Sequence, residues 1–117
     1  MPFHQPDAIR YFTFESLDEL KIRNAIFTRK GGVSPNPWAS LNVGGLVGDD
    51  PTRVMKNKEL ALQAMGLSLD NTFDVWQIHG GDVVCTETPR RKNGDIRKGD
   101  AILTDKSGIV LFMRFAD

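Results

Sequence analysis

Between residues 29 and 50 the chain has no apolar period on which a helix or a strand could build. Gly31, Gly32, Pro35, Pro37, Gly44 and Gly45 interrupt it ahead of Gly48, and these two residue types punctuate a backbone more strongly than any others. A loop of that length in a compact domain is functional or mobile. Ahead of it, Tyr11-Phe12-Thr13-Phe14 and Asn24-Ala25-Ile26-Phe27-Thr28 are aromatic and β-branched, and both are expected to form strands. Behind it lies the one well-marked helix. Asp50 can cap it, Pro51 takes its first position and Gly66 can close it. Val54, Ala61, Ala64 and Met65 share a face suited to a core, which leaves Arg53, Lys56 and Lys58 to water.

After the helix the pattern returns to β. Residues 72–78 and 82–87 are expected as strands around a Gly80-Gly81 turn, 89–99 as a polar basic loop, and 101–104 as a short strand. Residues 108–116 are apolar on both faces, the pattern of a central buried strand. A domain rarely stops just behind such a strand, so the chain is expected to be cut short. The opening residues, polar and with two prolines, are expected to fray. This order gives a mixed α/β fold, an α+β-like sheet sandwich without regular βαβ winding, with residues 1–117 as the N-terminal portion of a single domain.

Charge narrows the function. Fifteen Lys and Arg balance fifteen Asp and Glu, which argues against a nucleic-acid binder or a polybasic membrane-surface protein. No apolar run approaches the roughly 20 residues that span a bilayer. Residues 1–10 lack the basic start and apolar stretch of a secretory signal. The one cysteine, Cys85, cannot make an internal disulfide and suits a reducing compartment, where an apolar-flanked thiol is usually buried filler. The expectation is a soluble, cytoplasmic globular protein.

His79 is the sharpest single candidate. It follows a strand, has Gln77 beside it, and precedes two glycines that would let a ligand or metal approach the backbone. At a strand end a histidine can act as base or metal ligand. Spacing alone favours a turn histidine bonded to a local carbonyl. A zinc site wants three or four His, Cys or carboxylate ligands, and His4 and Cys85 do not complete one. Arg29-Lys30-Gly31-Gly32-Val33-Ser34 could hold a phosphate with backbone N–H groups and the guanidinium. It is not a Walker A loop, and ordinary turn chemistry explains both it and Gly44-Gly45-Leu46-Val47-Gly48. The basic residues Arg90-Arg91-Lys92 and Arg97-Lys98 read as a solvated loop around Asn93-Gly94-Asp95. No Ser/His/Asp triad can be assembled.

Taken in order, several of these segments resemble one family. Thr28-Arg29-Lys30-Gly31-Gly32-Val33-Ser34, Ser40-Leu41-Asn42-Val43-Gly44, Val47-Gly48-Asp49-Asp50-Pro51 and Asn57 are similar to the first half of the YfiH family. Gln77-Ile78-His79-Gly80 with Val83, Asp100-Ala101 with Thr104, and Ala116-Asp117 continue the match. The family is also called laccase-domain or multicopper polyphenol oxidase-like. The resemblance implies a zinc-dependent cytoplasmic purine nucleoside phosphorylase that cleaves adenosine, inosine and methylthioadenosine with phosphate and also deaminates adenosine. It implies an α/β sandwich similar to the catalytic domains of deamidating toxins. It makes His79 a metal ligand and catalytic residue. The family's other two ligands, a cysteine after an Ala-Asp pair and a histidine in a later motif, would follow Asp117. On this reading the partner is the missing C-terminal half of the same domain, and the 117 residues alone are inactive. Arg29, Asn42 and Gln77 are the candidate contacts to phosphate or nucleoside, with Gln77 also able to orient His79. Two alternatives stand beside it: a copper-dependent polyphenol oxidase, for which two histidines are few, and a non-enzymatic module that binds a phosphorylated ligand through the 29–34 loop.

Overall fold

A computed structural model describes residues 2–90 and 95–115. The chain divides into two compact units, Met1–Gly66 and Leu67–Asp117.

In the first unit, strands β1 (Phe3–His4), β2 (Tyr11–Phe12) and β3 (Ile26–Phe27) form an antiparallel sheet in that order. The opening residues were expected to fray; among the described ones, Phe3 and His4 instead pair with β2. Phe3 lies opposite Phe12 with the rings 5.6 Å apart edge to face, and His4 stacks on Tyr11 at 5.2 Å. Cross-strand aromatic pairs of this kind hold a short strand that its backbone bonds alone would not. A short helix, α1 (Glu15–Glu19), had no sequence signal. Thr13 donates to Asp18 Oδ2 and Asn24 Nδ2 to Asp18 Oδ1, which ties the helix to the chain on either side. Lys21, one residue past the cap at Leu20, takes a left-handed φ of 58°, as a residue ending a helix often does.

Helix α2 (Pro51–Ala64) matches its sequence markers. The Asp50 side chain accepts from the Thr52 N–H, and Gly66 closes the end at φ 70°. Its buried residues are Val54, Asn57, Ala61 and Leu62. Ala61 joins Ile9 and Leu41 in the core, with Tyr11, Phe27, Leu60 and Ala64 packed around them. Arg53, expected to be available to water, stays part-exposed and also bonds Asp49 one helical turn back at 3.1 Å.

The irregular segment between β3 and α2 is organised by one buried amide. Asn57 has no exposed surface. Its Oδ1 accepts from the Val33 N–H at 2.8 Å, and its Nδ2 donates to Ser34 Oγ at 2.9 Å and to the Asn42 carbonyl at 2.7 Å. Ser34 passes the network on to Asp49, which also accepts from Asn42, Arg53 and the Asp50 N–H. Close approach explains Gly32: a Cβ there would sit 2.2 Å from the Ser40 carbonyl oxygen and 2.5 Å from Leu41 Cα. Burial alone would raise the Asp49 carboxyl. The bonds from Ser34, Asn42, Arg53 and the Asp50 N–H outweigh it and bring the pKa from 3.8 to about 2.

The second unit opens with a single 3-10 turn over Leu69–Asn71. Strand β4 (Thr72–Phe73) pairs in parallel with β7 (Val110–Leu111), and β5 (Val83–Cys85) pairs in parallel with β6 (Ala101–Leu103). The hairpin expected around Gly80-Gly81 is therefore absent: β4 and β5 each take a partner from later in the chain. Phe73, Val75 and Val84 form the core with Ile102, Ile109 and Met113 around them. The segment expected as a buried central strand is regular for two residues only. Leu111 is 38% and Phe115 76% exposed, and residue 116 lies outside the described residues. Cys85 is exposed and not filler, because period-two alternation turns Val84 inward and leaves Val83 and Cys85 outside. No helix among the described residues is long and apolar enough to cross a membrane.

Two outcomes test the loop network. Asn57→Ala removes three hydrogen bonds, one of them between two buried side chains, each worth roughly 0.5–1.5 kcal/mol, so chemical denaturation should show a clear loss of stability. Asp49 contributes to stability fully above its ordinary pKa of 3.8, and that contribution drains away as pH falls through about 2. Acid unfolding followed by circular dichroism should steepen across that window, and Asp49→Asn should flatten the slope there; an unchanged slope would contradict the assignment.

Candidate functional site

The second unit places residues 97–100 between residue 76 and residue 82. The Trp76 N–H donates to the Arg97 carbonyl at 2.8 Å, the Gly99 N–H to the Trp76 carbonyl at 3.0 Å, and the Asp100 N–H to the Asp82 carbonyl at 2.9 Å. Gly99 permits this approach. A Cβ on it would lie 2.7 Å from Cγ2 of Val84, a stiff β-branched side chain that is itself buried.

Asp100 thereby arrives under the turn that follows Trp76. Its Oδ1 accepts from the Ile78 N–H at 3.0 Å and the His79 N–H at 2.9 Å, and its Oδ2 accepts from the Gly80 N–H at 2.7 Å. Successive N–H groups aimed at one point form an anion-binding concavity, here filled by a side chain of the same unit. The Gly80 bond does most to hold the Asp100 carboxyl below its ordinary pKa; burial opposes it, and the His79 and Ile78 bonds and the His79 ring add to the lowering.

The left-handed residue of this turn is His79, at φ 57°. The two glycines after it were expected to mark a hairpin turn and to let a ligand or metal approach the backbone. Gly80 sits in ordinary contact with Asp100 Oδ2 instead, and Gly81 faces open space. A left-handed conformation costs a non-glycine residue about 1–2 kcal/mol. Unlike Lys21, His79 ends no helix. Its imidazole is exposed, and Trp76 and Ile78, 48% and 43% exposed, give the turn apolar surface.

Gln77 is half-buried, and its Oε1 accepts from the Arg114 N–H at 3.1 Å. Its amide nitrogen has no partner among the described residues. The Arg114 guanidinium bonds Asp74 and the Val75 carbonyl, and Arg90 bonds Asp74 at 2.6 Å. Arg91, Lys92, Asn93 and Gly94 of the basic loop, like Ala116 and Asp117, lie outside the described residues.

Arg29 and Asn42 belong to the first unit. The Arg29 side chain is exposed, and its carbonyl accepts from the N–H groups of Ser40 and Leu41. The Asn42 amide bridges Asp49 and both backbone groups of Gly44. Four of the N–H groups suggested for a phosphate are already committed: Lys30 to Thr28 Oγ1, Gly32 to Ser40 Oγ, Val33 to Asn57, and Ser34 to the Ser40 carbonyl. The exposed cations Arg29 and Lys30 remain available to an anion.

No three His, Cys, Asp or Glu side chains among the described residues converge on a point that could hold a metal. His79 offers one imidazole, and the oxygens of Asp100 face backbone N–H groups. These residues supply one donor and do not fit a complete zinc or copper site. Asp100, which the sequence places in the family pattern without a role in the site, is the residue whose function only the fold brings out.

Residues 23–117 match the sequence profile of the family described as multi-copper polyphenol oxidoreductase laccase. Purine nucleoside phosphorylase ORF3 of Streptomyces griseus is 41% identical over 95 residues, which cover 80% of this chain and 38% of that protein. The crystal structure of YlmD from Geobacillus stearothermophilus superposes with a TM-score of 0.69 at 33% identity, over 74% of this chain and 34% of that one. YfiH of Bacillus licheniformis shares the fold, with a TM-score of 0.77 at 20% identity over 94% of this chain and 42% of that one. The chain thus spans between 34% and 42% of the length of these relatives.

If His79 is held left-handed against its own preference, His79→Gly should be more stable than His79→Ala by about 1 kcal/mol in thermal or chemical denaturation. Equal stability, or a more stable alanine variant, would remove the strain from the account.

Proposed function

The chain belongs to the multi-copper polyphenol oxidoreductase laccase family, and from that premise we propose that it supplies part of the active site of a purine nucleoside phosphorylase. The observation that carries the reading is the exposed His79 imidazole, held left-handed by the turn that Asp100 pins. Strained non-glycine backbone of this kind is retained where the side chain is needed in one direction. The names of the relatives support the phosphorylase reading over the copper oxidase that the family's description suggests.

In such a reaction a phosphate oxygen bonds to the sugar carbon that carries the base, the carbon–nitrogen bond breaks, and the base leaves with the bonding electrons and takes up a proton. Arg29 offers a planar, permanently charged donor suited to phosphate. The amide nitrogen of Gln77, which has no partner among the described residues, offers a neutral donor to substrate, and Asn42 holds its loop in shape while keeping acceptor capacity for a nucleoside contact. His79 is assigned to metal binding and catalysis. Since the described residues provide one donor, further zinc ligands would come from the part of the relatives' length that this chain does not span, and zinc-assisted deamination of adenosine belongs to the same proposal. A cytoplasmic location goes with it.

The test uses the natural polypeptide that carries this sequence. Release of purine base from adenosine and inosine should require inorganic phosphate, and His79→Ala should lower it by more than about 100-fold, beyond the usual loss for an outer partner of a metal ligand. Base release that ignores phosphate, or an unaffected His79→Ala variant, would overturn the reading; oxygen-dependent phenol oxidation would favour the copper alternative.

A further inference from the structure

We propose that Asp100 is the positioning residue of this site: by gathering the N–H groups of Ile78, His79 and Gly80 on one carboxylate, it fixes the backbone from which the His79 imidazole projects. Its catalytic consequence rests on the phosphorylase reading above; its structural part does not.

The geometry is specific. Both oxygens are engaged, Oδ1 by two consecutive N–H groups at 3.0 and 2.9 Å and Oδ2 by the third at 2.7 Å. No hairpin ladder holds the turn, because the strands on either side of it pair elsewhere. Left to itself, a histidine returns to the right-handed or extended region, and the exposed ring would swing with its backbone. The carboxylate opposes that return, because all three N–H groups point at it together only while His79 remains left-handed. Asp100 is itself tied down by its N–H bond to the Asp82 carbonyl, by Gly99 against Val84, and by the pairing of β6 with β5 that begins at the next residue. The turn is thus referenced to a parallel strand pair and not to its own sequence neighbours. Asp100 touches neither phosphate nor nucleoside in this account. It acts through His79.

Two measurements test this. In the natural polypeptide that carries this sequence, amide hydrogen exchange should show Ile78, His79 and Gly80 protected, and Asp100→Ala should remove protection from all three. Asp100→Asn, which has nearly the same shape and serves if the alanine variant does not fold, keeps one acceptor oxygen and should deprotect at least one of the three. In the natural polypeptide, Asp100→Asn should lower kcat by about 10–100-fold, as for an outer partner of a metal ligand, with KM changed by less than about threefold. Unchanged protection in both variants, or an unchanged kcat beside a raised KM, would overturn the proposal. Should the wild-type protein show no phosphorolysis, the phosphorylase reading falls, and exchange at the three amides still decides whether Asp100 holds the turn.

Discussion

Ile78, His79 and Gly80 direct three consecutive backbone N–H groups at the carboxylate of Asp100. A turn between two strands that do not pair with each other has no ladder to hold it, and at these exposed positions burial does not hold it either. One ionised side chain answers the whole need with charge-assisted bonds, and in doing so sets the conformation of the histidine in the middle. The position of Asp100 follows in turn from Gly99, whose missing Cβ lets the strand lie close to Val84, and from the register that pairs Val83 with Ala101. Removing any link of this chain would leave the imidazole exposed but no longer aimed.

The first unit solves a related problem with a neutral group. The segment between β3 and α2 has no ladder either, and Asn57 reaches from the helix to satisfy the Val33 N–H, the Ser34 hydroxyl and the Asn42 carbonyl. Among the described residues no buried side-chain polar atom lacks a hydrogen bond, so the loop is irregular without being loosely held. The network consumes the N–H groups of Gly32, Val33 and Ser34 that a phosphate could otherwise have used, so an anion at this loop would meet its cations first. The exposed Arg29 guanidinium sits at the edge of this ordered loop.

What could be read from the sequence was local. Asp50, Pro51 and Gly66 bound α2 because caps and helix ends act within a few residues, and the aromatic runs at Tyr11-Phe12 and Ile26-Phe27 are strands because side chains of that shape favour a pleated surface. Partner choice was not local. A Gly-Gly pair between two β-like segments suggests a hairpin, yet β5 pairs with β6 and β4 with β7, and nothing near Gly80 announces strands so far downstream. The burial of Cys85 was misjudged for the same reason, since which face of a strand is covered depends on its partners. His79 stood out through the ordered family pattern and its neighbours; its left-handed backbone and its dependence on Asp100 needed the parallel pairing to be seen. Asn57 shows the same limit in a helix, where an amide at a core position looks like a surface residue until the loop it serves is folded around it.

The most direct test of the account is the location of metal in crystals of the natural polypeptide, by anomalous diffraction at the zinc edge. The account predicts an anomalous peak about 2.0–2.1 Å from a ring nitrogen of His79, with the Asp100 carboxylate still under the turn. Zinc held by other donors while the His79 ring faces solvent, or no bound zinc in an active enzyme, would contradict it.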